Sequence, residues 1–108
     1  MDSLFIIFTL DYQVRAGRAR PLRVGFISPD FFVHSVSYFI EATLAHYDAD
    51  SFFIVCYSNV VREDAKTQHL RRFPQVWRAI SGLGAKNVAD LIRDDRIDIL
   101  VELTGCVN

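Results

Sequence analysis

Residues 22–41 read LRVGFISPDFFVHSVSYFIE, and this stretch decides the fold. Its first seven residues are rich in branched and aromatic types and run into Ser28-Pro29-Asp30, the pattern of a buried strand entering a turn. Val36, Phe39, Ile40, Leu44 and Tyr47 then recur at helical spacing, which predicts an amphipathic helix near 35–47. A strand that passes so quickly into a helix is the first half of a βαβ unit.

The same alternation continues outward. SFFIVCYS (51–58) is a continuous apolar run, as expected of a strand covered on both faces. NVVRED (59–64) is a polar connection, AKTQHLRR (65–72) a short helix and QVWRAI (75–80) a third strand. Gly82-Leu83-Gly84 breaks the chain before a helix near 85–95, with Val88, Leu91 and Ile92 on one face. RIDILVEL (96–103) is a fourth strand. The reading is α/β: a Rossmann-like parallel sheet with flanking helices and right-handed crossovers. Such sheets take their ligands at the carboxyl ends of the strands.

Composition fits one modest globular domain or part of a larger one: 108 residues, 51% apolar and 23% charged. Twelve basic and 13 acidic side chains leave a net charge of −1, which argues against a nucleic-acid partner. Arg71-Arg72 is the nearest thing to a basic patch and reads as a solvated face. Cys56 lies inside an apolar run and Cys106 is fifty residues away. Neither a disulfide framework nor metal-ligand spacing is present, which points to a reducing compartment. His46 and His69 read as surface helix residues, Trp77 and Phe52-Phe53 as core.

Residues 1–20 form an unassigned leader and linker ahead of a domain at 21–108. LFIIFTL is too short for a membrane span, which needs about 20 residues. It also lacks the preceding basic residues of a signal peptide. A start-site artefact, a strand packed on the domain and a divergent leader all fit it. If the domain is only part of a larger one, IDILVEL would lose neighbours and flanking helices, and the isolated chain is expected to be poorly soluble.

Two strand ends carry residues that could do chemistry. Asp30 and His34 follow the first strand, and a helix starting near Ser35 offers free N–H groups and a partial positive charge. The helix end disfavours the imidazolium, whereas a nearby carboxylate favours it. Such a pair could orient one tautomer toward a substrate hydroxyl. Ser-Pro-Asp is also ordinary turn chemistry, and composition alone favours that structural reading. No Gly-x-Gly-x-x-Gly follows the strand, which disfavours a dinucleotide-binding domain. Glu102, at the end of the last strand, fits either a second carboxylate in the same crevice or a turn cap. Asp98 reads as structural.

These residues also carry a resemblance. RPLRVGFISPDFFVHSVSYFIEA resembles the opening of the catalytic region of SPINDLY-type protein O-fucosyltransferases, relatives of the nucleocytoplasmic protein O-GlcNAc transferases. The likeness continues through VCYSNVVREDAKT and DDRIDILVELTG and covers residues 20–105. It implies part of the amino-terminal lobe of a GT-B glycosyltransferase, in which two Rossmann-like lobes face each other across a cleft. The donor would be GDP-fucose or UDP-GlcNAc, and the acceptor a Ser or Thr hydroxyl of a cytoplasmic or nuclear protein.

By position, His34 and Asp30 would be the catalytic pair, with Ser35, Val36, Glu102 and Gly105 lining the donor and acceptor cleft. The resemblance implies no metal, no cofactor beyond the nucleotide-sugar substrate, and neither membrane nor nucleic acid as partner. Gly105-Cys106-Val107 departs from the family's Gly-His-Thr. The second lobe and the tetratricopeptide repeats have no counterpart in this sequence, so the chain alone is expected to be inactive. The alternative is a non-catalytic interaction module derived from the half-lobe.

Overall fold

The structure is a computed structural model that describes residues 3–8, 20–29 and 35–104. At 3–8, 35–37, 39 and 104 it describes the backbone alone. Eight elements follow one another: β1 (Ser3–Phe8), β2 (Leu22–Ser28), α1 (Ser35–His46), β3 (Phe52–Ser58), α2 (Ala65–Leu70), β4 (Val76–Ala79), α3 (Ala85–Asp94) and β5 (Ile99–Thr104). The sheet order is β1-β5-β2-β3-β4. Strands β5, β2, β3 and β4 are mutually parallel, and β1 closes one side antiparallel to β5. Of the readings open for the first apolar run, the structure shows the strand packed on the domain. Most of the linker segment lies outside the described residues.

Strand alternation splits the core into two halves. Val24 and Phe26, Ile54 and Cys56, and Leu103 meet Ile40 and Leu44 of α1 and Leu70 of α2. Val55, Tyr57 and Ile97 on the other face meet Val88, Leu91 and Ile92 of α3. The sheet is therefore sandwiched between helices, which explains why its strands read as nearly continuous apolar runs. Phe53 and Trp77 pack against these clusters as expected. Phe52 does not: it opens β3 at the rim of the sheet and is 37% exposed.

Helix boundaries have local causes. Asp64 accepts from the Thr67 N–H at 3.0 Å, and Thr67 Oγ1 accepts from the Asp64 N–H at 3.2 Å, a reciprocal box that starts α2. This helix ends at Leu70 rather than Arg72. The Arg72 N–H already bonds back to His69 at 3.4 Å, and Phe73 precedes a proline that disfavours helical backbone. At the end of α3, Arg96 takes the left-handed conformation with φ 56°. Residues 96–98 are spent on that exit, so β5 begins at Ile99 and not at Arg96.

Asp98 is structural, as expected. Its buried carboxylate accepts the Arg23 N–H at 2.9 Å, and its own N–H bonds to the Arg23 carbonyl at 2.7 Å.

Gly25 shows how tightly the α3 side is packed. A Cβ there would lie 3.0 Å from Tyr57 Cε2 and 3.3 Å from both Ile97 Cγ2 and Leu100 Cδ1. The Tyr57 ring cannot retreat, because its hydroxyl is bonded to Asp95 at 2.5 Å. Gly25→Ala is therefore expected to lower unfolding stability by about 1–3 kcal/mol through overpacking. Urea titration checks this, and a midpoint unchanged from wild type would refute it.

Cys56 is fully buried in the α1-side cluster. Burial pushes its thiol well above the ordinary range. In the folded chain, alkylation at Cys56 is expected to be at least about 100-fold slower than in denaturant. Peptide mapping after a timed iodoacetamide pulse reads this, and equal labelling in both states would show the core to be open.

Candidate functional site at the carboxyl ends of β2 and β5

The strand order creates a switch point. β2 pairs with β3 on one side and with β5 on the other, so the strand order reverses between β2 and β5, the place where such sheets form a crevice. Ile27 and Glu102 are register partners, which brings the two chemically loaded strand ends side by side. Nothing in the sequence alone placed β5 there rather than beyond β4.

The site residues fall as follows. Ser35 and Val36 are the first two residues of α1, so the helix start stands above the end of β2. Glu102 is exposed on β5, two residues before the strand ends. It is the register partner of Ile27. Asp30, His34 and Gly105 lie outside the described residues.

A groove adjoins the crevice on the α3 side. It encloses about 430 Å³ and is lined by Ile27, Asn59, Ile80, Leu83, Val88 and Ile92. Sequence reading missed it, although the signal lay in the connections that follow β3 and β4. Asn59 ends the apolar run, and Gly84 starts α3 with an extended backbone and no side-chain cap. The floor is fixed by backbone bonds: the Asn59 N–H to the Ser28 carbonyl at 2.9 Å, and the Ile80 N–H to the Ser58 carbonyl at 2.8 Å.

Helix α1 is tied sideways to α2. Glu41 accepts from Lys66, and its other oxygen lies 3.1 Å from His69 Nε2. The Lys66 ammonium also sits 4.3 Å from the centre of the Tyr38 ring. His69 is thus a half-exposed neighbour of the Glu41 carboxylate, while His46 is simply exposed. Arg71 reaches Glu63 at 3.0 Å, and it lies just past α2 rather than on it.

At the end of α3, Asp95 gathers a polar cluster. Arg78 contacts it twice, at 2.8 and 2.6 Å, and the Tyr57 hydroxyl once at 2.5 Å. This cluster ties the end of α3 to β3 and β4. Among the described residues, no group of three or more His, Cys, Asp or Glu side chains is placed to hold a metal ion. None of the described helices is long and apolar enough to cross a membrane.

A parallel sheet in this order, with helices on both faces and a crevice at the switch point, defines a Rossmann-like unit of the kind that receives nucleotide-containing ligands. No protein-family model matches the chain. It is 53% identical over 90 residues to a rice (Oryza sativa subsp. japonica) protein described as a probable UDP-N-acetylglucosamine–peptide N-acetylglucosaminyltransferase SPINDLY, covering 80% of this chain and 10% of the relative. The Arabidopsis thaliana protein of the same description matches at 53% over the same shares. The Arabidopsis SEC protein, also described as a probable peptide N-acetylglucosaminyltransferase, is 24% identical over 84% of this chain and 9% of its own length.

Among solved structures, a point mutant of the Thermobaculum terrenum O-GlcNAc transferase superposes with a TM-score of 0.73 at 38% identity, covering 76% of this chain and 16% of that one. The chain is thus similar to a segment shared by SPINDLY proteins and an O-GlcNAc transferase, and it spans about a tenth of the length of the curated relatives it matches.

Proposed function

We propose that this chain is part of the amino-terminal lobe of a GT-B protein glycosyltransferase. The whole enzyme would transfer a sugar from a nucleotide-sugar donor to Ser or Thr hydroxyls of proteins. The observation that carries the reading is the likeness to SPINDLY proteins at 53% identity, in a segment whose switch point juxtaposes the β2 and β5 ends. GDP-fucose is the favoured donor from the SPINDLY-type motifs, with UDP-GlcNAc as the donor that the relatives' descriptions name.

In this reading, the free N–H groups at the start of α1 and the helix dipole favour an anionic oxygen of the donor. His34, oriented by Asp30, takes or holds the proton of the acceptor hydroxyl as it attacks the sugar carbon. The sugar–phosphate bond breaks on the far side, so configuration inverts, and the nucleoside diphosphate leaves with the bonding electrons. Ser35, Val36, Glu102 and Gly105 line the crevice. No metal enters this scheme. The acceptors would be cytoplasmic and nuclear proteins, and the protein would work in those compartments.

The 108-residue chain is expected to transfer no sugar by itself, because the scheme needs a facing lobe. The test is a chimaera in which residues 20–104 replace the matching segment of the rice relative. Transfer from labelled GDP-fucose or UDP-GlcNAc to a protein acceptor, at a rate within about tenfold of the parent, supports the reading. A folded chimaera inactive with both donors would refute it, and labelling by the isolated chain would refute its half-lobe character.

A further inference from the structure

Helix α1 is held along its length by different means. Ile40 and Leu44 bury its middle against the sheet. Just past its end, the Tyr47 hydroxyl lies 2.6 Å from Gln75 Oε1 and 3.1 Å from the Phe73 carbonyl. The amino half is held sideways by Tyr38 and Glu41, which stand three residues apart on one face. Ser35 and Val36 open the same helix above the end of β2.

Tyr38 and Glu41 meet one cation. Lys66 donates to Glu41 and lies 4.3 Å from the centre of the Tyr38 ring, and its side chain is only 12% exposed. The lysine is itself anchored. It is the second residue of α2, whose start is closed by the Asp64–Thr67 box and whose last residue, Leu70, is buried in the core. The second Glu41 oxygen faces His69 Nε2 at 3.1 Å, and the His69 ring stands edge-on to Phe73 with centres 5.1 Å apart. Glu41 therefore ties the crevice half of α1 to an element that is fixed independently of it. A pair of fully exposed side chains would hold little. An ammonium so far withdrawn from water depends on its carboxylate.

We propose that Glu41, acting through Lys66, is a positioning residue of the crevice: it holds the amino end of α1 where the free N–H groups meet the anionic diphosphate of the donor. This role rests on the donor site proposed above and adds the residue pair that sets its geometry. Neither side chain touches the donor. A small shift of the helix start points the same N–H groups away from the diphosphate, and such misplacement is costly.

Kinetics of the chimaera test it. Glu41→Ala is expected to raise the KM for the nucleotide sugar at least about fivefold, the scale of a helix-end charge contact, and to leave the KM for the protein acceptor within about twofold. A variant that merely folds less well would lower kcat and leave both KM values alone, and that result overturns the proposal. Lys66→Met is expected to raise the donor KM equally, and the double variant no further than the larger single change. Effects that multiply in the double variant would mean that the two residues act apart, which also overturns it.

Hydrogen exchange reads the helix without turnover. In Glu41→Ala the amides of 39–42 are expected to exchange at least about tenfold faster, while those of 44–46 keep the parent rate. Unchanged rates at 39–42, or acceleration along all of α1, overturn the positioning role. Should Glu41→Ala fail to fold, Glu41→Gln, which keeps an accepting oxygen, gives the same readings. A folded wild-type chimaera inactive with both donors instead refutes the donor site itself, and this role falls with it.

Discussion

Asp95→Ala is expected to lower unfolding stability by about 3 kcal/mol, because it removes the carboxylate on which the Arg78 guanidinium and the Tyr57 hydroxyl converge. The Asp95 side chain is 9% exposed and takes two bonds from Arg78 and one from Tyr57. Its carbonyl also accepts Arg23 Nε at 2.6 Å, which ties the end of α3 to β2. Asparagine is expected to rescue little, since its amide N–H₂ would face donors rather than acceptors. Urea titration reads the loss. A cost below about 1 kcal/mol, the level of an exposed ion pair, would mean that water replaces the network.

The same carboxylate sets an acid limit. Burial pushes the Asp95 carboxyl up, but the bonds from Arg78 and Tyr57 outweigh it and hold the group below its ordinary value. A folded-state value below the unfolded one means that the unfolded chain binds more protons as pH falls. The stabilisation is therefore complete above about pH 4 and drains away as pH drops through the lower folded value. The Asp95→Ala chain is expected to show a flatter stability profile below pH 4. For Tyr57, burial and then the bond to Asp95 push the phenol up, so its contribution is lost as pH rises above about 10.

His34→Ala in the chimaera is expected to reduce kcat/KM by about 10²–10⁴-fold, the usual worth of a positioned acid or base. Asp30→Asn should cost less, because it removes the partner that orients the ring and not the ring itself. If the loss lies in kcat with KM for the donor unchanged, His34 acts on the reacting hydroxyl. A variant retaining activity within threefold would return SPDFFVH to the ordinary turn that its composition first suggested.

The parallel strands and the helices were legible because each is buried by a simple rule. FFIVCY is apolar throughout, since helices cover both faces of β3. Val88, Leu91 and Ile92 keep helical spacing because α3 lies on one side only. The ends were less legible. Arg96 leaves α3 through a left-handed step that an exposed arginine does not advertise, and α2 stops where Phe73-Pro74 forbids continuation. The groove was not legible, since Ile27, Asn59, Leu83 and Ile92 lie on four separate segments.

By itself the sequence determined the class of sheet, the identity of most elements and the motifs that it shares with SPINDLY proteins, because those follow from local periodicity and from residue order. Only the tertiary structure decided that β5 inserts beside β2, that Glu102 stands opposite Ile27, and that residues 3–8 close the edge. Each is a choice among strand partners far apart in the chain. It is settled by which faces can be buried together, an energy that belongs to the assembled sheet and to no single stretch of it.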